Sequence, residues 1–126
     1  TQSPDRNYER IYASHPDHLA AGEAALCAVY PDARNPFAHP ELLDDEGLEP
    51  WSVAETWLMA AATPNRFVDV TDNFDRKIDA LRSHASQHSD WDPIANMIRG
   101  WLTATGKQAG LPDGRLAEGF CGLETG

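Results

Sequence analysis

The sequence predicts a mixed α/β fold with several helices, two or three short strands and a sheet that is parallel in part. Three observations lead there. Helical spacing of apolar residues recurs in three segments, strand-like runs are short, and each strand is parted from the next by helical or long irregular sequence that a tight hairpin would not need. The 126 residues leave room for one compact domain around one core.

In chain order, residues 16–30 form the first expected helix. Ser14 can cap it, Asp17 stands three residues on as the reciprocal partner of a capping box, and Pro16 suits a first turn, where its missing N–H is harmless. Leu19, Gly22, Leu26 and Val29 then recur at helical spacing, Cys27 reads as a small buried residue among them, and Pro31 ends the helix. Residues 32–51 carry Pro36, Pro40, Pro50 and the acidic run ELLDDEGLE, which reads as a long surface excursion with one short helix near 41–45.

Residues 55–61 hold Trp57 and Leu58 with few charges and stop at Thr-Pro-Asn, which predicts a short buried strand; residues 66–70 alternate and predict a second. Thr71 or Asp72 then caps a helix with Phe74, Ile78 and Leu81 on one face, running to about His84. Another helix opens at Asp92-Pro93, buries Ile94, Met97, Ile98, Trp101 and Leu102 on one stripe, and closes at Gly106. Residues 116–123 add a last short strand. With so few strands, the chain is expected to be the second half of a larger domain.

The formal charge is −10, and eleven of the twenty acidic residues but only three of the ten basic ones precede Pro64. Such a field repels phosphate backbones and anionic headgroups, so nucleic acid and membrane surfaces are not expected partners. No apolar run approaches the roughly 20 residues of a membrane span. The polar opening TQSPDRNYER is no signal peptide, so a cytoplasmic location is expected. Cys27 and Cys121 cannot by themselves make a disulfide framework or a thiolate zinc site.

Chemistry-bearing residues crowd the start of the first helix, in YASHPDHLAAGE. His15 and His18 are three apart and can face one side of a helical turn, with Asp17 able to hydrogen-bond an imidazole N–H and fix its tautomer. Taken alone the pair fits either a helix start with solvent-facing histidines or one wall of a zinc site, which needs partners from elsewhere. His84 and His88 form a second cluster, whose plain reading is imidazoles meeting the negative end of a helix dipole. Convergence of both clusters on one structural zinc is a further alternative. No nucleophile elbow, Walker loop, dinucleotide fingerprint or H-E-x-x-H occurs.

Taken together, SHPDHLAAGEAALCAVYPDARNP (14–36), PELL (40–43), LEPW (48–51) and FVDVTDNFDRKIDALRSHASQ (67–87) resemble the later half of the PIG-L or LmbE-like family of zinc-dependent N-acetyl deacetylases. The resemblance implies the carboxyl-terminal portion of a Rossmann-like α/β deacetylase fold, with zinc as cofactor and an N-acetylated amino sugar, glycoside or related amide as substrate. It implies His18 as metal ligand, His15 as the group that stabilises the oxyanion, and Asp17 as the residue that orients His15 and favours its protonated form. His84 and Gln87 fall in its late H-x-S-Q stretch and His88 follows it, all without an implied role.

The family's early H-P-D-D motif, which supplies two more zinc ligands and the general base, does not occur here, and Asp44-Asp45 lacks the histidine. Some members carry a tyrosine two residues before the first late histidine; Ala13 holds that place, beside Tyr12. The expectation is therefore a chain inactive by itself, or a noncatalytic, self-associating remnant of the fold that acts as an interaction module and can homo-oligomerise.

Overall fold

A computed structural model of the chain describes residues 1–9, 11 and 14–126. Tyr12 and Ala13 lie outside the described residues. The elements run α1 (Pro16–Val29), α2 (Pro40–Asp44), β1 (Glu55–Met59), β2 (Arg66–Asp69), α3 (Phe74–Arg82), α4 (Asp92–Gln108) and β3 (Ala117–Glu124), with 3-10 turns at Asp32–Arg34 and Thr71–Asn73. They fall into two compact units, Thr1–Arg66 with Phe120–Gly126, and Phe67–Gly119.

The three strands form one sheet in the order β1-β3-β2. β3 is antiparallel to β1, in register from Glu55 opposite Glu124 to Met59 opposite Phe120. The expectation of a partly parallel sheet is corrected here: the parallel pairing is an isolated bridge between Gln2 and Met59, outside the named strands. The reason lies in how the strands follow one another. β1 ends opposite Phe120, and Asn65, just before β2, donates its N–H to that same Phe120 carbonyl at 2.9 Å, so β1 and β2 follow one another along β3, which runs back against them.

In the first unit, β1 alternates, with Thr56 and Leu58 buried and Glu55, Trp57 and Met59 outward. The strand is thus half-buried, not buried throughout. Arg66 donates to Glu55 and to Glu124, each at 3.1 Å, across Gly122, where an added Cβ would lie 2.7 Å from the Arg66 Cγ. Asn65 extends the pairing with its side chain, accepting the Gly122 N–H at 2.7 Å and donating to the Gly122 carbonyl at 3.1 Å.

Only Gly22 of α1 is buried. The backbone of residues 2–4 passes directly over it, so a Cβ there would lie 2.5 Å from the Gln2 carbonyl oxygen and 2.9 Å from the Pro4 nitrogen. That amino-terminal segment is itself bonded to β1, Ser3 N–H to the Met59 carbonyl at 2.9 Å and Met59 N–H to the Thr1 carbonyl at 2.8 Å. Cys27, expected inside, is exposed, because the face that packs is the one centred on Gly22.

The second unit holds a core of Phe74, Ile78, Ile98, Leu102 and Leu116. The α4 stripe is narrower than expected: Ile98 and Leu102 are buried, whereas Met97 and Trp101 remain 46% and 36% exposed. α4 also runs past Gly106. Gly106 is a close-packed position, where a Cβ would lie 2.6 Å from the Arg115 carbonyl, and the stop comes from Gly110 at φ 73°. There Leu111 N–H reaches the Gly106 carbonyl and Gly110 N–H the Lys107 carbonyl, both at 3.0 Å, which is the paired closure of a Schellman end.

Two glycine substitutions separate packing from helix propensity. Gly22→Ala is expected to lower stability by about 1–3 kcal/mol through overpacking. Gly100→Ala, with nothing within 4 Å of the added Cβ, is expected to raise it by about 0.5–1 kcal/mol. Chemical denaturation of the two variants checks both signs.

Candidate functional site

The first turn of α1 presents the imidazoles. Pro16 occupies its first position, and His15, at φ −60° and ψ 138°, is the N-cap residue without a side-chain cap bond. The expected capping box does not form. Ser14 is buried and turned toward the preceding segment, its hydroxyl accepting the Asn7 N–H at 2.7 Å. A residue competent to cap has been used to tie down the approach to the helix.

Asp17 organises the turn instead. Its carboxylate accepts the His18 N–H at 2.8 Å and pairs directly with His15 Nδ1. Because a carboxylate can only accept, Nδ1 of His15 carries the hydrogen and Nε2 faces away from the pair. The His15 and His18 rings stand 5.8 Å apart at 56°, so the three-residue spacing does place both on one side. His15 and Asp17 are 67% and 71% exposed.

The His15 hydrogen bond, with help from the His18 N–H, lowers the Asp17 carboxyl below its usual 3.8. The helix amino terminus favours the same ionised form. A depressed carboxyl contributes stability above its unfolded value and loses it as pH falls through the folded one. This contribution is therefore complete at neutral pH and fades below 3.8.

The deepest carboxyl shift lies elsewhere. Asp69 is lowered to about 2, first by the Thr71 hydroxyl at 2.7 Å and its N–H at 3.0 Å, then by Arg115. Thr71 Oγ1 also accepts the Leu116 N–H at 2.9 Å, so this cluster joins the end of β2 to the start of β3. Its role is structural.

His84 and His88 do not share a helical face. α3 ends at Arg82, and both lie in the turns that follow, His84 N–H reaching the Leu81 carbonyl at 3.0 Å and His88 packing edge-on against Trp91 at 5.2 Å. Gln87 donates its N–H to the His84 carbonyl at 2.9 Å and its side-chain amide to Ser86 at 3.2 Å. These residues belong to the second compact unit, and the histidine turn of α1 to the first. Among the described residues no group of three or more His, Cys, Asp or Glu side chains is placed to hold a metal ion.

A pocket of about 340 Å³ forms where residues 32–51 fold against the end of α1. The stretch read as a surface excursion thus has an inside. His39 lines the pocket and pairs with Glu41 at 3.2 Å. No sequence signal marks the pocket, since a single aromatic residue in a loop is ordinary surface.

No family model matches the sequence. Over 114 residues, 86% of its length, the chain is 33% identical to the diacetylchitobiose deacetylase of Thermococcus kodakarensis. This chain is a partial homologue of the diacetylchitobiose deacetylases. The PIG-L or LmbE-like resemblance is thereby met by homology. The N,N'-diacetylchitobiose deacetylase from Pyrococcus horikoshii, solved with its inhibitor MPG, matches 98% of the chain with a TM-score of 0.76 and 31% identity. The chain spans 40% of the first protein and 44% of the second. Among the described residues no helix is long and apolar enough to cross a membrane.

A carboxyl NMR titration tests the two hydrogen-bond assignments together. Asp17 should titrate below 3.8 and Asp69 at about 2. His15→Ala should move only Asp17 upward, and Thr71→Ala only Asp69. An Asp17 that titrates normally in the unaltered protein would undo the pairing with His15.

Proposed function

We propose that this chain is the carboxyl-terminal part of a zinc-dependent hydrolase that removes the acetyl group from an N-acetylated amino sugar or a related amide, acting in the cytoplasm. The observation that carries the reading is the turn at His15, Asp17 and His18, exposed and ordered by Asp17, within a chain homologous to diacetylchitobiose deacetylases.

The donor chemistry fits zinc at one position and not as a full set. His18 offers an imidazole on the same side of α1 as His15, and catalytic zinc takes three protein ligands. His18 would hold the metal together with groups outside this segment. Bound zinc supplies carbonyl polarisation and an acidified water.

The remaining roles belong to the chain's own side chains. With its hydrogen fixed on Nδ1 by Asp17, His15 can donate to an oxyanion only through a second hydrogen on Nε2, which makes it an imidazolium. Asp17 is thus a positioning residue and His15 the donor. At 67% exposure the pair is screened by water, so its full effect requires the enclosure that the rest of a complete enzyme would give.

The second reading, a noncatalytic self-associating module, draws on large apolar side chains left outside, with Tyr30 and Phe37 at 65% and 86% exposure. The two separate on the complete enzyme. There His18→Ala should abolish both zinc content and acetate release. Asp17→Asn should keep zinc while lowering turnover by roughly 10²–10⁴-fold. Full zinc content in the His18 variant, alongside a stable metal-free dimer of this chain, would favour the module.

A further inference from the structure

The pocket at the far end of α1 carries chemistry that the histidine turn does not use. Its volume of about 340 Å³ lies within the range of small-molecule sites. One wall is Trp51, 72% exposed, whose backbone N–H is bonded to the Ala33 carbonyl at 2.6 Å. Leu42 and Leu48 add apolar surface. Asp32 and Glu49 also line it, and neither carboxylate is engaged in an ion pair or hydrogen bond among the described residues. His39, on the same wall, is already occupied by Glu41.

Unpaired carboxylates beside apolar surface favour a cation, and the chain's charge of −10 adds to that preference. An exposed indole favours a ligand with a flat apolar face. A pyranose has such a C–H face, and an amino sugar carries an ammonium group on its edge. We propose that this pocket binds a protonated amino sugar, its ring stacked on Trp51 and its ammonium held by Asp32 and Glu49.

The choice of an amino sugar rests on the deacetylase reading, because removing an acetyl group turns a neutral acetamide into an amine that takes up a proton. The preference for a cationic, stacking ligand rests on the pocket alone. Ala28, on its wall, is ten residues beyond His18 along α1, or roughly 15 Å at the helical rise per residue. One sugar ring cannot reach both places. The pocket therefore receives a unit other than the one at the histidine turn, and its carboxylates select one already deacetylated, either a remote part of an oligosaccharide or a released product.

The test uses this 126-residue chain and two disaccharides, diglucosamine and N,N'-diacetylchitobiose, at a pH where the free amines are protonated. Calorimetry gives affinity, and the Trp51 indole N–H signal gives location. Diglucosamine should bind at least roughly tenfold more tightly than its diacetylated form, the scale of hydrogen bonds to charged groups. Asp32→Asn with Glu49→Gln should erase that preference, and Trp51→Ala should remove binding of both, with circular dichroism unchanged. His18→Ala should alter neither. Equal affinity for the two sugars, no binding, or binding lost in His18→Ala but kept in Trp51→Ala would overturn the proposal. The last result would leave the deacetylase reading standing, whereas intact pocket binding in a complete protein without deacetylase activity would sink that reading alone.

Discussion

The first unit depends on one close approach, the backbone of residues 2–4 lying on Gly22. α1 buries nothing else, so its attachment to β1 runs through that segment, whose own hydrogen bonds go to Trp57 and Met59. Any side chain at position 22 would push the two backbones apart. The buried Ser14 hydroxyl, holding Asn7, fixes the same segment at the other end of the helix's approach. The direction in which His15 and His18 point is thus set by a residue with no side chain, seven and four positions away.

Electrostatics divides the chain in an instructive way. Its most perturbed carboxyl, Asp69, sits among Thr71 and Arg115 and locks strand ends together, while the carboxyl of the turn with the chemically suggestive residues is shifted less. In this molecule the most perturbed acid marks a structural tie. Geometry is the more useful guide: a carboxylate that dictates which nitrogen of its neighbour bears hydrogen, and an indole standing at a pocket wall. Both are short-range arrangements that a screened surface can still maintain.

Much of this was legible in the sequence because it is local. The helix beginning at Pro16, the strands near residues 55, 66 and 117, and the one-sided placement of His15 and His18 all follow from spacing. What escaped was non-local. Ser14 looked like a cap because nothing in the sequence reveals that Asn7 claims its hydroxyl. Gly106 looked like a helix end because a glycine that terminates and a glycine that lets Arg115 pass are spelled alike; only Gly110 has the positive φ. Strand direction escaped because spacing does not record that β1 and β2 pair in succession with the same returning strand. The pocket escaped because residues 32–51 have loop composition, and composition does not record that a loop folds back on a helix.

Asn65 carries a liability of ageing. Its side chain acts as a surrogate strand, receiving from and giving to Gly122 at once. Hydrolysis of that amide to a carboxylic acid would preserve the acceptor and abolish the donor, and would introduce a negative charge next to Arg66, the residue that already neutralises Glu55 and Glu124. A single slow chemical event at one surface residue could thus loosen the edge of the sheet without any change in the gene.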